Sequence, residues 1–336
     1  MKKYNYNENI LDIFRIFATI QVFAGHMLTH FKWSGEAAVY FFRGVPILFA
    51  LCGFLAAKSL DKYETKEYLK QRAARILPGF WFCIVVNTLL IAAFYQHTAS
   101  VKDWAVYLFT QFCGLNFYTG DWLRGYGVGT PNGVLWTIGV QIQFFLLAPL
   151  LKKWLGKRSL KACLLTVGVM TLTSIGIYRA GPFLPEIVEK MIGVTVIPYA
   201  YFLVLGMVIW YHRDTLVAAL SKMKWVLLLG YVAWKLAEIF LSFPHVLDGV
   251  LYNTVTTLLL VAVMFGFAFD FRWRAPFDIT YGFYLYHMVI MNLVIHFGCQ
   301  TAGWLLTLGI AAATVVCAWL SQKLVEQPAA KWISKR

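Results

Sequence analysis

The sequence predicts an all-α membrane protein, a polytopic bundle of about ten transmembrane helices with both termini in the cytoplasm. Of its 336 residues, 60% are hydrophobic and 14% are charged, whereas about 25% of the residues of a soluble domain are charged. The apolar residues are concentrated in segments of about 20, the length at which a helix crosses a bilayer. The basic residues between these segments are distributed unevenly, and this sets the orientation.

Ten apolar segments predict the spans. In chain order they cover residues 10–30, 37–57, 77–97, 134–154, 160–179, 192–211, 225–243, 249–270, 278–298 and 303–323. Segment 104–118 is apolar but short, and we interpret it as an interfacial or re-entrant helix. Counting it as a span would reverse the orientation of every later segment.

The basic residues test this choice. With the N-terminus in the cytoplasm, 22 of the 30 Lys and Arg residues fall in cytoplasmic segments and 5 in outer segments. Because basic residues collect on the cytoplasmic side, this asymmetry supports ten spans with both ends inside. The net charge of +14 has the same explanation. The expected partner is therefore the lipid bilayer, and no nucleic acid is expected.

Further features limit the class of protein. The six cysteines form no C-x-x-C pair, so neither a disulfide framework nor a metal site is expected. The first apolar segment contains Asp12 and Arg15 and has no cleavage pattern, so it is predicted to remain as the first span. No repeat or linker divides the chain, which predicts a single membrane domain over residues 1–336 without an appended soluble domain. The oligomeric state is open, a homo-oligomer included.

The first span contains ionisable residues, which by default suggest function in a membrane. Arg15 and His26 are eleven residues apart, which places them on one helix face, roughly 16 Å apart along the axis. Asp12 lies near the same face. In the alternative interpretation, Asp12 and Arg15 form a structural pair at the cytoplasmic edge and His26 caps the outer edge.

A second basic pair precedes the third span. Arg72 and Arg75 are one helical turn apart, just before Pro78. Two guanidinium groups on one face suit a phosphate-bearing ligand at the membrane surface. The alternative is an ordinary cytoplasmic loop that contacts lipid phosphates.

Other polar and aromatic residues lie within later spans and are predicted to line a pocket. The fourth span contains Trp136 and Gln141, and the ninth contains Tyr281, Tyr284 and His287 near one face. Interhelical hydrogen bonding and an aromatic belt are the structural alternatives.

Two more features are less specific. The outer loop 119–133 is rich in glycine and aromatic residues, and its Trp122 and Tyr126 could stack on sugars; the alternative is a flexible connector. In the seventh span, Lys235 and Glu238 are spaced at i,i+3 and are predicted to neutralise one another.

Six motifs occur in order along the chain: LDIFRIFA…GH from residue 11, GVPILFALCGFL at 44–55, RAARILP at 72–78, LWTIGVQIQFFLLAPLL at 135–151, TYGFYLYH at 280–287 and VEQP at 325–328. With them the chain resembles the acyltransferase 3 family, bacterial integral membrane O-acyltransferases of surface glycans. The resemblance covers nearly the whole chain, and the arginine-ten-residues-histidine spacing of the family falls on Arg15 and His26.

The resemblance implies an enzyme of the bacterial cytoplasmic (inner) membrane. It would move an acyl group, usually acetyl, from cytoplasmic acyl-CoA to a hydroxyl of a cell-surface polysaccharide or a lipid-linked saccharide; succinyl stays open. His26 would act as a general base or carry the acyl group as an acyl-imidazole, with Arg15 as its catalytic partner. Arg72 and Arg75 would bind the phosphates of CoA. Glu326 of the VEQP motif joins the residues predicted to line the pocket.

Two departures from the family pattern leave alternatives open. Gln141 stands where the family commonly has glutamate, followed by Ile142 where a second acidic residue is usual, and Cys52 replaces a frequent serine. A neutral Gln141 cannot act as a base, so an altered donor, an altered acceptor or lost activity stays open. The alternative function is a transporter or flippase for a lipid-linked saccharide; a third is an inactive relative that organises glycan machinery.

Overall fold

The computed structural model describes residues 6, 9–96, 98–116, 118–241, 249–275, 278–301 and 303–334, which form helices and no strand. In chain order the helices are α1 (Leu11–Phe31), α2 (Glu36–Val39), α3 (Gly44–Lys62), α4 (Thr65–Phe94), α5 (Val101–Phe112), α6 (Leu135–Leu155), α7 (Leu160–Ala180), α8 (Glu186–Gly193), α9 (Ala200–Tyr211), α10 (Arg213–Leu241), α11 (Gly249–Phe267), α12 (Thr280–His296), α13 (Trp304–Ser321) and α14 (Gln327–Ser334). The predicted all-α polytopic fold class is confirmed.

Each predicted span coincides with a helix. Among the described residues, seven helical segments are long and apolar enough to cross a membrane, and an eighth crossing results if α8 and α9, bent by 52°, form one broken span. Helices α11 and α12 also coincide with predicted spans, although α12 has only 17 residues. The number of crossings and the cytoplasmic position of the termini stay predictions.

Helix α4 extends beyond the apolar segment that predicted it. It begins at Thr65, twelve residues before the predicted start of the third span. In its polar first turns, Lys70 Nζ lies 3.4 Å from Glu67 Oε2 and Gln71 Nε2 donates to Glu67 Oε1 at 2.6 Å. Such i,i+3 and i,i+4 contacts stabilise an exposed helix surface. Because α4 begins at Thr65, Arg72 and Arg75 lie within this helix and not in a loop before it.

The chain divides into two compact units that interleave along the sequence. Unit 1 comprises Met1–Val22, Ala37–Glu64 and Phe144–Pro276, and unit 2 comprises Phe23–Glu36, Thr65–Gln143 and Phe277–Arg336. The prediction of one domain over residues 1–336 stays a prediction.

In unit 1, α3 and α9 pack with their backbones in close contact. A Cβ atom added at Gly53 would lie 1.8 Å from the carbonyl oxygen of Leu203, and one added at Gly206 would lie 2.1 Å from that of Ala50. Glycine therefore permits the approach of the two helices, as small residues commonly do in membranes.

Two polar contacts lie within the helices of unit 1. Gln21 of α1 donates to Val39 O at 3.1 Å and accepts from Gly44 N at 2.6 Å, which ties α1 to the start of α3. The predicted pair of Lys235 and Glu238 is present, and the lysine is buried.

In unit 2, the described residues of segment 104–118, which are 104–116 and 118, correspond to α5 and the residues that follow it. Ser100 and Asp103 form a capping box at its start, with Ser100 Oγ accepting from Asp103 N at 3.2 Å. Because α5 has 12 residues, it is about 18 Å long, too short to cross a bilayer. Helices α12 and α13 approach closely where a Cβ at Gly282 would lie 2.9 Å from Ala318 Cα.

Candidate active site

Helix α12 of unit 2 positions the ninth-span residues that the sequence singled out. Tyr281, Tyr284 and His287 follow one another at i, i+3 and i+6, so they lie near one helix face. Tyr284 and His287 are buried, and His287 is fully inaccessible to solvent. Unsatisfied polar groups are costly in the membrane, so the partners of these side chains decide what each of them can do.

His26, in the C-terminal half of α1, faces His287. Their ring centroids are 5.3 Å apart with the planes tilted by 40°. His26 also stacks on His30, one turn later, at 5.7 Å with nearly parallel planes. His26 is half-buried, whereas His287 lies wholly behind it. Three imidazoles therefore meet, and His26 is an accessible member of the group.

Neighbouring contacts hold His287 in place. Its Nδ1 lies 3.2 Å from Phe283 O, one turn earlier on α12. Phe23 of α1 packs against both Phe283 and His287, with ring centroids 5.5 Å and 6.2 Å away. The C-terminal half of α1 and α12 thus pack through aromatic rings around the histidine pair.

The arginine pair lies near the start of α12. Arg75 of α4 forms an ion pair with Asp278, two residues before that helix, and its side chain is 57% exposed. Arg72, one turn earlier, stacks on Tyr68 at 5.4 Å. Next to Arg75, Ile76 O accepts a hydrogen bond from Tyr281 Oη at 2.8 Å. An accessible guanidinium is therefore connected to the helix that carries His287.

Glu326 approaches the same part of α4. It ends a π-helical stretch, Gln322–Glu326, between α13 and α14, and such stretches are frequent at functional sites. Ser321 Oγ donates to Glu326 Oε1 at 2.9 Å. A Cβ at Gly79 would lie 3.0 Å from the Tyr281 ring and 3.1 Å from Glu326 Oε1, so Gly79 leaves room for both side chains.

The first part of α6 contacts the middle of α12. Thr137 Oγ1 and Tyr284 Oη are hydrogen-bonded at 2.9 Å. Trp136 and Gln141 are half-buried on the same helix. Gln141 is one turn beyond Thr137, so it lies on the face of α6 that contacts α12.

A family model described as an acyltransferase domain matches residues 8–322. The chain belongs to the acyltransferase 3 family. The protein is therefore a membrane O-acyltransferase, and the predicted resemblance is confirmed.

Two relatives of this acyltransferase are similar to it over different shares of its length. Nodulation protein 10 of Rhizobium leguminosarum bv. viciae is 26% identical over 362 aligned positions, which cover 97% of this chain and 94% of that protein. Peptidoglycan O-acetyltransferase OatA of Listeria monocytogenes serovar 1/2a is 25% identical over 151 positions, 41% of this chain and 23% of OatA. No solved structure matches the acyltransferase.

Arg15 and Asp12 of the acyltransferase lie in unit 1 and form the i,i+3 pair that the sequence offered as an alternative. Arg15 Nη2 is 3.0 Å from Asp12 Oδ1, and Asp12 Oδ2 accepts from Ala275 N at 3.2 Å. Asp12 therefore links α1 to the segment after α11. The catalytic role of Arg15 stays a prediction.

The structure contradicts two interpretations of loop 119–133 of the acyltransferase, that Tyr126 stacks on a sugar and that the loop is a flexible connector; Trp122 is half-buried, and its contact with a sugar stays a prediction. Tyr126 is fully buried in a cluster with Ile91, Tyr107 and Leu123, so it cannot stack on a sugar. The loop is not a free connector either. Buried Asn292 of α12 accepts from Val128 N at 3.0 Å and donates to the carbonyls of residues 130 and 131 at 2.9 and 2.8 Å.

Sequence reasoning missed the asparagines that hold this loop. Asn132 Nδ2 donates to Leu285 O at 2.9 Å and Asn87 Nδ2 donates to Pro131 O at 3.0 Å, and both side chains are buried. For Asn87 and Asn292, the available signal was an asparagine within an apolar segment. In the part of the acyltransferase that the structure describes, no group of three His, Cys, Asp or Glu side chains could hold a metal ion.

Proposed function

We propose that this enzyme of the bacterial cytoplasmic membrane transfers an acyl group, acetyl in the first instance, from cytoplasmic acyl-CoA to a hydroxyl of a cell-surface polysaccharide or a lipid-linked saccharide. One observation carries the proposal. Arg75, the predicted donor-binding residue, forms an ion pair with Asp278, two residues before α12. His26, the predicted catalytic residue, packs against His287 of α12. Tyr281, whose hydroxyl bonds the backbone next to Arg75, precedes His287 by six residues, about 9 Å along the helix.

The proposed donor is held at its charged end. Arg72 and Arg75 bind the phosphates of CoA at the cytoplasmic surface through charge-assisted hydrogen bonds, for which guanidinium groups are suited. The exposure of Arg75 supports this role. Because Asp278 already pairs with Arg75, the phosphate shares or displaces that carboxylate when the donor binds. The acyl thioester then extends along α12 toward His26.

His26 serves as the general base in the proposed reaction. It takes the proton of the sugar hydroxyl as the oxygen attacks the thioester carbonyl carbon. The carbon–oxygen bond forms, the carbon–sulfur bond breaks, and His26 returns the proton to the departing thiolate. The products are the sugar ester and CoA. Arg15 stabilises the negative charge that develops on the thioester oxygen.

The neutral residue Gln141 contributes no proton transfer. Its half-buried side chain lies one turn from the contact of Thr137 with Tyr284. Together with Trp136 and Glu326, Gln141 is assigned to the lining of the path through which the donor and the acceptor approach.

Two relatives support the acceptor and the host. The name of the Listeria relative states O-acetylation of peptidoglycan, a hydroxyl-bearing glycan outside the membrane. The relative that matches most of the chain is from another bacterium. Membership of an acyltransferase family favours transfer chemistry over a flippase activity.

The proposal is tested with labelled acetyl-CoA and purified protein in proteoliposomes, presented with glycans of the host. We expect label to enter the glycan with the unaltered protein and no transfer with His26→Ala. His296→Ala is the matched control, because this histidine also lies on the site-bearing part of unit 2 but bonds Phe94 O away from His26. Mass spectrometry of host glycans with and without the gene identifies the acyl group. Glycan flipping without label transfer would contradict the proposal.

A further inference from the structure

The proposed reaction assigns no function to one ring nitrogen of His287, Nε2. A carbonyl oxygen only accepts hydrogen bonds, so the contact of Nδ1 with Phe283 O requires that Nδ1 carry the proton. Nε2 of the neutral ring is then an acceptor. This atom is buried and has no hydrogen-bond partner among the described residues. An unsatisfied acceptor in a membrane interior is costly and indicates a partner that arrives during function.

His26 needs such an acceptor. An imidazole that takes a proton on one nitrogen must carry hydrogen on the other, and that second N–H needs an acceptor when water is absent. In many enzymes a buried carboxylate behind the histidine has this role. Here no carboxylate of the described residues forms an ion pair with His26.

Of the two imidazoles beside His26, only one is arranged as an acceptor. His30 stacks on His26 with planes 6° apart, so the in-plane N–H of one ring does not point at the lone pair of the other. His287 is tilted by 40° at a centroid distance of 5.3 Å. That distance allows facing nitrogens of two imidazoles to come within about 3 Å, a hydrogen-bond length, when the His26 ring turns toward α12.

We propose that His287 is the positioning residue of the active site: its Nε2 accepts the N–H of His26, selects the tautomer of His26 that faces the acceptor hydroxyl, and stabilises the imidazolium formed in the reaction. This inference rests on the proposed function of His26. The proton itself moves from the hydroxyl to His26 and on to the thiolate, and His287 gains and loses none. The carbonyl of Phe283 holds the ring in the required orientation.

The test compares three variants of His287 in the proteoliposome assay, with kcat and the KM for acetyl-CoA measured separately. His287→Leu removes the acceptor and keeps the bulk. We expect kcat to fall about 10- to 150-fold, the effect of one hydrogen bond to a charged group, with KM for acetyl-CoA unchanged. His287→Gln carries an amide oxygen about as far out as Nε2 and should restore most of kcat, whereas the shorter His287→Asn should not.

His296→Leu is the matched control, because it removes another histidine of α12 whose Nε2 contacts Phe94 O; its kcat should equal that of the unaltered protein. Thermal unfolding in detergent shows whether each variant folds. If His287→Leu does not fold, the Gln and Asn variants decide the question. Equal kcat in these two variants, or full kcat in a folded His287→Leu, overturns the inference while the proposed function stands. If the unaltered protein transfers no acyl group, both fall together.

Discussion

Two helix pairs, one in each unit, are joined by different kinds of contact. In unit 1, α3 and α9 meet backbone to backbone through Gly53 and Gly206. In unit 2, α4 and α12 are connected by polar groups, with Tyr281 Oη donating to Ile76 O at 2.8 Å. Farther along the same pair, Cys83 Sγ lies 3.5 Å from Leu285 O.

We interpret the α3–α9 pair as structural and the α4–α12 pair as part of the candidate active site. Glycine contacts stabilise membrane helices by close packing, and they leave no space for a substrate. Buried polar side chains are costly in a membrane unless they are satisfied, and they usually mark function. In α12, His287 lies between residues that bond to α4, α6 and loop 119–133, and these bonds fix the orientation of the helix. The two pairs should therefore respond differently to substitution.

The largest effect is expected from Gly53→Leu in the α3–α9 pair. Even the first carbon of the new side chain would overlap Leu203 O, so the helices cannot keep their contact, and we expect no folded protein in detergent. Gly168→Leu in α7 is the control, because nothing lies within 4 Å of a Cβ there. Fluorescence-detected size-exclusion chromatography measures both. A monodisperse Gly53→Leu protein would contradict the close packing.

Asn292→Leu should have the next largest effect, on stability. It removes three hydrogen bonds to loop 119–133, and each buried group left unsatisfied costs ~1–3 kcal/mol. We expect a lower unfolding temperature and faster proteolysis within the loop. Cys299→Ala, exposed just beyond α12, serves as the control. Unchanged proteolysis would show that the loop is held by its aromatic cluster instead.

Arg75→Ala tests whether this arginine, near the start of α12, binds the phosphates of the acyl donor. Loss of a charge-assisted hydrogen bond to phosphate should raise KM for acetyl-CoA about tenfold, or ~1.4 kcal/mol, with kcat nearly unchanged. Arg75→Lys should be intermediate, because lysine keeps the charge but not the planar fork. Lys70→Ala, on the same helix and paired with Glu67, is the control. A fall in kcat alone would remove Arg75 from donor binding.

The smallest effect is expected from Tyr284→Phe. The substitution deletes the hydroxyl that bonds Thr137, but Thr137 Oγ1 keeps its bond to Val134 O at 2.8 Å. We expect the variant to be destabilised by about 0.5–1.5 kcal/mol, the contribution of one neutral hydrogen bond. Thermal unfolding measures it, with Tyr118→Phe at an exposed position as the control. A larger loss would mean that α6 depends on this contact.

Local patterns explain why much of the fold could be predicted. A bilayer requires long apolar helices, so hydropathy alone located a helix for every predicted span. It could not locate the polar first turns of α4, because their stability comes from side-chain pairs such as Glu67 with Gln71. Tyr126 was misassigned because the composition of a loop does not show whether its aromatic side chains are buried or exposed.

The sequence by itself determined the membrane class, the helices, the family and the spacing of Arg15 with His26 and of Arg72 with Arg75, because each is a property of nearby residues or of ordered motifs. Only the tertiary structure decided that His287 packs against His26, that Arg75 pairs with Asp278 and that Asn292 holds loop 119–133. These contacts join residues far apart in the chain. They depend on which helix faces pack together, and the periodicity of a single segment does not show which neighbouring helix contacts its buried face.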